Sequence, residues 1–128
     1  MLYTSYGNAY RITKDKQYLP VLRDGAQHLT ARFNPKVGAI RSWDFAPWHY
    51  PVIIDNMVNL EYLYWAASMF KQPNYTHIAS THALTTMKNH FRNDYSSYHV
   101  VDYDAATGKV LAKKTHQGRS DQSAWSRG

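Results

Sequence analysis

Apolar positions recur at spacings of three and four through four stretches of the chain, and the period lapses between the second and the third. Residues 2–12 read as the end of an amphipathic helix, closed by the polar turn Thr13-Lys14-Asp15-Lys16. Residues 17–33 read as a second helix with Leu19, Leu22, Ala26, Leu29 and Phe33 on its stripe. Pro20 falls in the first turn, where a missing N–H is tolerated, and Asn34-Pro35-Lys36 ends the helix. Residues 37–55 hold Trp, Pro and other aromatics without a helical period, and 39–45 and 52–54 read as short extended pieces. Residues 57–70 are helical again, with Met57, Leu60, Tyr64 and Ala67 on one face. A turn over 71–74 leads to a fourth helix over 75–91. Alternation through Val101, Tyr103 and Val110, about Ala105-Ala106-Thr107-Gly108, predicts a β-hairpin over 97–115. Residues 116–128 read as a polar loop.

The helix pairs repeat. A shift of 57 residues places Tyr18 on Tyr75, Val21 on Ile78, Leu22 on Ala79, Ala26 on Ala83 and Ala9 on Ala66. Helical-hairpin units bury their apolar faces against neighbours, so two of them predict part of a larger toroid or solenoid.

Composition narrows the function. Aromatics make up 15% of the chain, with Tyr 11 and Trp 4, which suits either a ring-filled core or sugar faces. The net charge is +6, but the cations at Arg11, Lys14, Lys16, Arg23, Arg32, Lys36 and Arg41 are dispersed, and only Lys113-Lys114 is a tight pair. This distribution is compatible with an acidic small substrate; it points to neither nucleic acid nor a membrane surface. Without cysteine there is no disulfide framework or thiolate chemistry. No apolar run reaches the roughly 18 residues of a membrane span. His77 and His82 are five apart and off one face, no metal-binding or Gly-rich phosphate motif occurs, and no Gly-x-Ser-x-Gly elbow is present, so neither a metal nor a cofactor is expected. The seven histidines then read as surface and ligand-pocket residues.

Asp55 is the first candidate for acid–base chemistry, because Pro51-Val52-Ile53-Ile54 delivers its carboxylate to the start of a helix. Apolar burial raises a carboxylate pKa and a helix N-terminus lowers it; an N-cap role is the competing reading. His99 lies on the hairpin, and His116, Gln117, Trp125 and Arg127 mark the following loop, dense in hydrogen-bonding groups with one aromatic. That is the composition of a polar-ligand site, or of a solvated loop.

Several stretches resemble glycoside hydrolase family 88, the unsaturated glucuronyl hydrolases: Ser5-Tyr6-Gly7-Asn8-Ala9-Tyr10-Arg11, Arg32-Phe33-Asn34-Pro35-Lys36-Val37-Gly38-Ala39-Ile40, Ile54-Asp55-Asn56-Met57-Val58-Asn59-Leu60, Ser96-Ser97-Tyr98-His99, Thr115-His116-Gln117-Gly118 and Ser123-Ala124-Trp125-Ser126-Arg127-Gly128. The resemblance keeps order and spacing nearly end to end. It implies a mainly α fold, part of an (α/α)6 barrel of the six-hairpin glycosidase type, with a small β-hairpin. It also implies removal of a terminal 4,5-unsaturated uronic acid from lyase-generated, glycosaminoglycan-type oligosaccharides. In this chemistry a carboxylic acid protonates C4 and water adds at C5, unlike the two-carboxylate attack at an anomeric carbon. Asp55 matches the family's acid, which then acts as base toward water; an acid working near neutral pH suits the apolar approach to it. His99, His116, Gln117, Trp125 and Arg127 match positions lining the sugar pocket, and Trp43 is expected to stack there.

The family also carries a second aspartate in a His-Asp pair shortly before a Gly-Phe-Met, and Met1 matches that Met. Residues 1–128 are therefore expected to be a single incomplete catalytic domain, truncated at both ends, and inactive by itself. Bacterial cytoplasm or periplasm is the expected compartment. The rival readings are an unsaturated rhamnogalacturonyl hydrolase, a non-catalytic sugar-binding helical-hairpin protein, and a nucleic-acid-binding helical repeat.

Overall fold

Two helical hairpins and a small sheet make up the computed structural model, which describes residues 2–125. The first hairpin opens with a π-helical turn, Tyr3–Gly7, continuous with α1 (Asn8–Thr13). A 3-10 turn, Lys16–Tyr18, then leads into α2 (Leu19–Ala31). In the second, the 3-10 segment Ile54–Asn59 leads into α3 (Leu60–Phe70), followed by α4 (Pro73–Asn89).

The 57-residue repeat extends to the backbone. Lys14 closes α1 in the left-handed region at φ 58°, and Lys71 closes α3 at φ 57°. Their amides donate to Tyr10 and Ala67, which are themselves 57 apart, so the two hairpins turn by the same device.

Helix α2 ends two residues before Phe33, which the apolar spacing places on the helix. Asn34 and Pro35 divert the chain there: Asn34 Oδ1 accepts from the Lys36 amide at 2.8 Å, and Gly38 turns at φ 73°. This makes an antiparallel ribbon of β1 (Phe33–Asn34) with β2 (Ala39–Ile40). The 97–115 hairpin is present as β4 (Val100–Tyr103) and β5 (Val110–Lys114), but it belongs to a three-stranded antiparallel sheet. Its third member is β3 (Pro51–Ile53), on the far side of β4, and Val52 faces Val101 across the pair. The central β4 is buried throughout.

Leu22 and Ala26 of α2, Leu60, Leu63, Ala66 and Phe70 of α3, and Ile78 and Ala79 of α4 form the main core. Val37, Ala39, Tyr50, Val52, Val101 and Tyr103 form a second cluster between ribbon and sheet. On α3 the buried stripe runs through Leu60, Leu63, Ala67 and Phe70, whereas Met57 and Tyr64, assigned to that face by spacing, are exposed. His82 and His90 correct the expectation of surface and pocket histidines, since both are fully buried. His82 Nδ1 accepts from the Ile40 amide at 3.0 Å, and His90 Nε2 donates to the Val52 carbonyl at 2.9 Å. The two imidazoles thus pin α4 to β2 and β3. Desolvation pushes each down to about 4, with His90 acting on His82 and Lys113 and His99 acting on His90 in the same direction.

Candidate active site

Where β3 ends, the backbone swings Asp55 into the first turn of the 3-10 segment. Ile53 occupies the N-cap position there, so Asp55 is not the cap. The Ile54 amide donates to the His99 carbonyl at 3.0 Å, holding the start of this turn beside the strand that brings His99.

Asp55 Oδ2 accepts from the indole Nε1–H of Trp125 at 2.7 Å. The same indole lies face to face on the His99 imidazole, with centroids 3.9 Å apart and planes 10° from parallel. His99 is buried. Its Nδ1 accepts from the His116 amide at 3.1 Å and sits 3.2 Å from the Thr115 hydroxyl. A ring nitrogen that accepts an N–H carries no proton in the neutral imidazole, which assigns the ring proton to Nε2. His116, on the next residue, turns its ring into an aromatic group: 5.1 Å from Trp43, 5.7 Å from Phe45 and 6.0 Å from Trp48. Trp43 and Phe45 stack at 5.4 Å with their planes 11° apart. Trp43 is half-buried, and its Nε1 is enclosed with no hydrogen-bond partner among the described residues.

Five of the residues singled out from sequence thus form one continuous surface, running from Asp55 through Trp125 and His99 to His116 and Trp43. Gln117 follows His116 in the exposed loop, and Arg127 lies outside the described residues. Sequence reading passed over Phe45 and Trp48, which complete the aromatic wall, and gave Ser97 no role beyond its place in the Ser96-Ser97-Tyr98-His99 stretch. The Ser97 carbonyl accepts from the Trp125 amide at 3.0 Å. It also passed over Asp102, a buried carboxylate that accepts from the amides of His49 and Tyr50 and from His49 Nδ1. An aromatic-rich 43–48 stretch was the available signal for the first pair; nothing in the local sequence signals the other two.

The surface pairs a carboxylate with a fixed N–H donor, a buried imidazole and an open aromatic face. That set can hold a polar ring and exchange a proton with it. A cavity of about 660 Å³ lies elsewhere, lined by Arg32, Asn34, Lys36, Arg41, Asp44 and Tyr50 among others, and contains none of these groups. No group of three metal-ligating side chains occurs among the described residues, and no helix among them is long and apolar enough to cross a membrane.

No family model matches the chain. Among curated proteins it is 45% identical, over 99% of its length, to an unsaturated glucuronyl hydrolase of Formosa agariphila. It is 35% identical, again over 99%, to an unsaturated chondroitin disaccharide hydrolase of Streptococcus agalactiae. A crystal structure of an unsaturated glucuronyl hydrolase specific for heparin covers 98% of the chain at 66% identity and a TM-score of 0.94. The chain spans about a third of the length of each: 32%, 33% and 34% respectively. The two hairpins and the sheet are those of a segment of that helical-barrel fold, and the chain belongs to the unsaturated glucuronyl hydrolases.

Proposed function

We propose that the protein carrying this chain removes the terminal 4,5-unsaturated uronic acid from lyase-generated oligosaccharides by hydrating the C4–C5 double bond. The observation that carries the reading is the Asp55–Trp125–His99 arrangement beside the Trp43 and His116 wall. An indole N–H only donates, so Oδ2 of Asp55 serves as its acceptor. Asp55 acts as the acid and delivers a proton to C4. The carboxylate so formed draws a proton from the water that adds at C5, and the hemiketal opens to release the next sugar. His99, with its proton on Nε2, and Gln117 hold the uronate ring, Trp43 stacks on it, and Arg127 meets its charge in a two-pronged contact.

Similarity to the heparin-specific enzyme favours a heparin-derived unsaturated disaccharide as substrate over a chondroitin-derived one. The test is turnover of both disaccharides, and of each after its C4–C5 bond has been reduced. Hydration predicts cleavage of the unsaturated forms only, fastest for the heparin type. Cleavage of the reduced forms at a comparable rate contradicts it.

A further inference from the structure

We infer that Arg92 is a positioning residue for this chemistry, holding the loop that carries Trp125 in the one place where its indole meets Asp55. The inference rests on the function proposed above and adds to it a residue that touches neither the sugar nor Asp55.

Trp125 reaches Asp55 at the end of an exposed segment. Residues 116, 117 and 119–124 are all exposed and bury no apolar side chain that would locate the segment by packing. His116 is anchored by its amide on His99 Nδ1 and by its ring on the aromatic wall, and beyond it three polar ties hold the segment. At its start, the Thr115 amide donates to Asp121 Oδ1 at 2.7 Å. At its end, the Trp125 amide donates to the Ser97 carbonyl at 3.0 Å. Between them stands Arg92. Its Nη2 donates to the carbonyls of Asp121, at 3.1 Å, and Ser123, at 3.2 Å. Its Nη1 donates to Ser96 Oγ and to the Ser97 carbonyl, each at 3.1 Å. The guanidinium lies over the Tyr98 ring with Cζ 3.9 Å from the centroid, which fixes the plane of the fork.

One planar cation therefore bridges the loop to the 96–98 segment, which leads through His99 into β4. The Ser97 carbonyl is the shared node, because it accepts from both Arg92 and Trp125. A lysine presents three donors from a single point and no planar fork to lie on Tyr98, so it cannot reproduce all four contacts in this geometry. A displacement of the indole by about 1 Å would break a 2.7 Å contact to the acid, and misplacements of that size cost up to about a hundredfold in rate.

The test uses the full-length protein labelled with 5-fluorotryptophan, in wild-type form and as Arg92→Ala, Arg92→Lys, Trp125→Phe and the double variant Arg92→Ala/Trp125→Phe. The Trp125 fluorine signal, assigned by its absence from Trp125→Phe, is expected to shift or broaden in both Arg92 variants while the signals of Trp43, Trp48 and Trp65 hold. Each single variant is expected to lose roughly tenfold or more in kcat. The double variant is expected to be no slower than the worse single, because both changes remove the same contact. Rescue by lysine, multiplicative losses in the double variant, or an unmoved Trp125 signal in Arg92→Ala and Arg92→Lys would overturn the assignment. Wild-type protein inactive on unsaturated disaccharides would sink the functional reading instead, and the fluorine spectrum would still decide the role of Arg92. Arg92→Lys keeps the charge and decides the matter if Arg92→Ala does not fold.

Discussion

At the scale of single residues, the site depends on polar atoms whose partners lie far away in sequence. Trp125 and Asp55 are separated by 70 residues, and His49 and Asp102 by 53. Asp55 was singled out because an apolar run delivers its carboxylate to the start of a helix, a pattern that also read as an N-cap until the fold placed Ile53 there. The donor to Asp55 was not legible, because no spacing rule connects two loops through a fold. Asp102 shows the same limit: on the chain it is one acid in an apolar strand, and in the fold it is a buried acceptor for three N–H groups. Asp102→Asn keeps the volume but turns an amide against those donors. It is expected to cost about 2 kcal/mol of stability, read from denaturant unfolding of the full-length protein. A loss under a few tenths would show that the carboxylate does not organise residues 49 and 50.

At the scale of elements, periodicity predicted the helices well and their ends poorly. The helical reading ran on to Phe33 because its apolar position continues the stripe, while the Asn34 side chain and Gly38 had already committed the backbone to a ribbon. The sheet was only half visible, since β3 is three residues long and pairs with a strand about fifty residues away. The β4–β5 turn docks on the ribbon. A methyl group at Gly108 would sit 2.1 Å from the Lys36 carbonyl oxygen, at a φ of 74° that disfavours side chains. Gly108→Ala is therefore expected to cost about 3 kcal/mol, and an unchanged melting temperature would contradict the docking.

Helix α4 carries an acid-sensitive tie of its own. His82 and His90 titrate near 6.5 when unfolded and at about 4 in the fold. Between those values the unfolded chain binds protons that the native one refuses. Their contribution is therefore complete above about pH 6.5, declines as pH falls, and levels off below about 4. The slope is roughly 1.4 kcal/mol per pH unit for each histidine. His82→Gln preserves an acceptor for the Ile40 amide and removes one titration. It is expected to flatten the stability curve between pH 6 and 4.5 by about half, and an unchanged slope would refute the buried-neutral reading.

At the scale of the molecule, the hairpin repeat pointed to a larger array. Ile12, Val58, Leu84 and Met87 are each more than 60% exposed, and further hairpins packed against the chain would cover apolar side chains of this kind. Expressed as these 128 residues alone, the chain is expected to bind an apolar dye and to melt over a broad range. A sharp melt without dye binding would show that the hairpins need no further partners.

The central claim is that Asp55 protonates the alkene. Its most direct test follows the ultraviolet absorbance of the conjugated double bond in an unsaturated heparin disaccharide, with full-length wild-type protein and Asp55→Asn side by side. The account predicts that the absorbance decays with the wild type and stays level with the variant, at least a thousandfold slower, while the variant still binds the disaccharide. Equal decay with both proteins would remove Asp55 from the chemistry, and sugar release without decay would show that the double bond is not where the reaction begins.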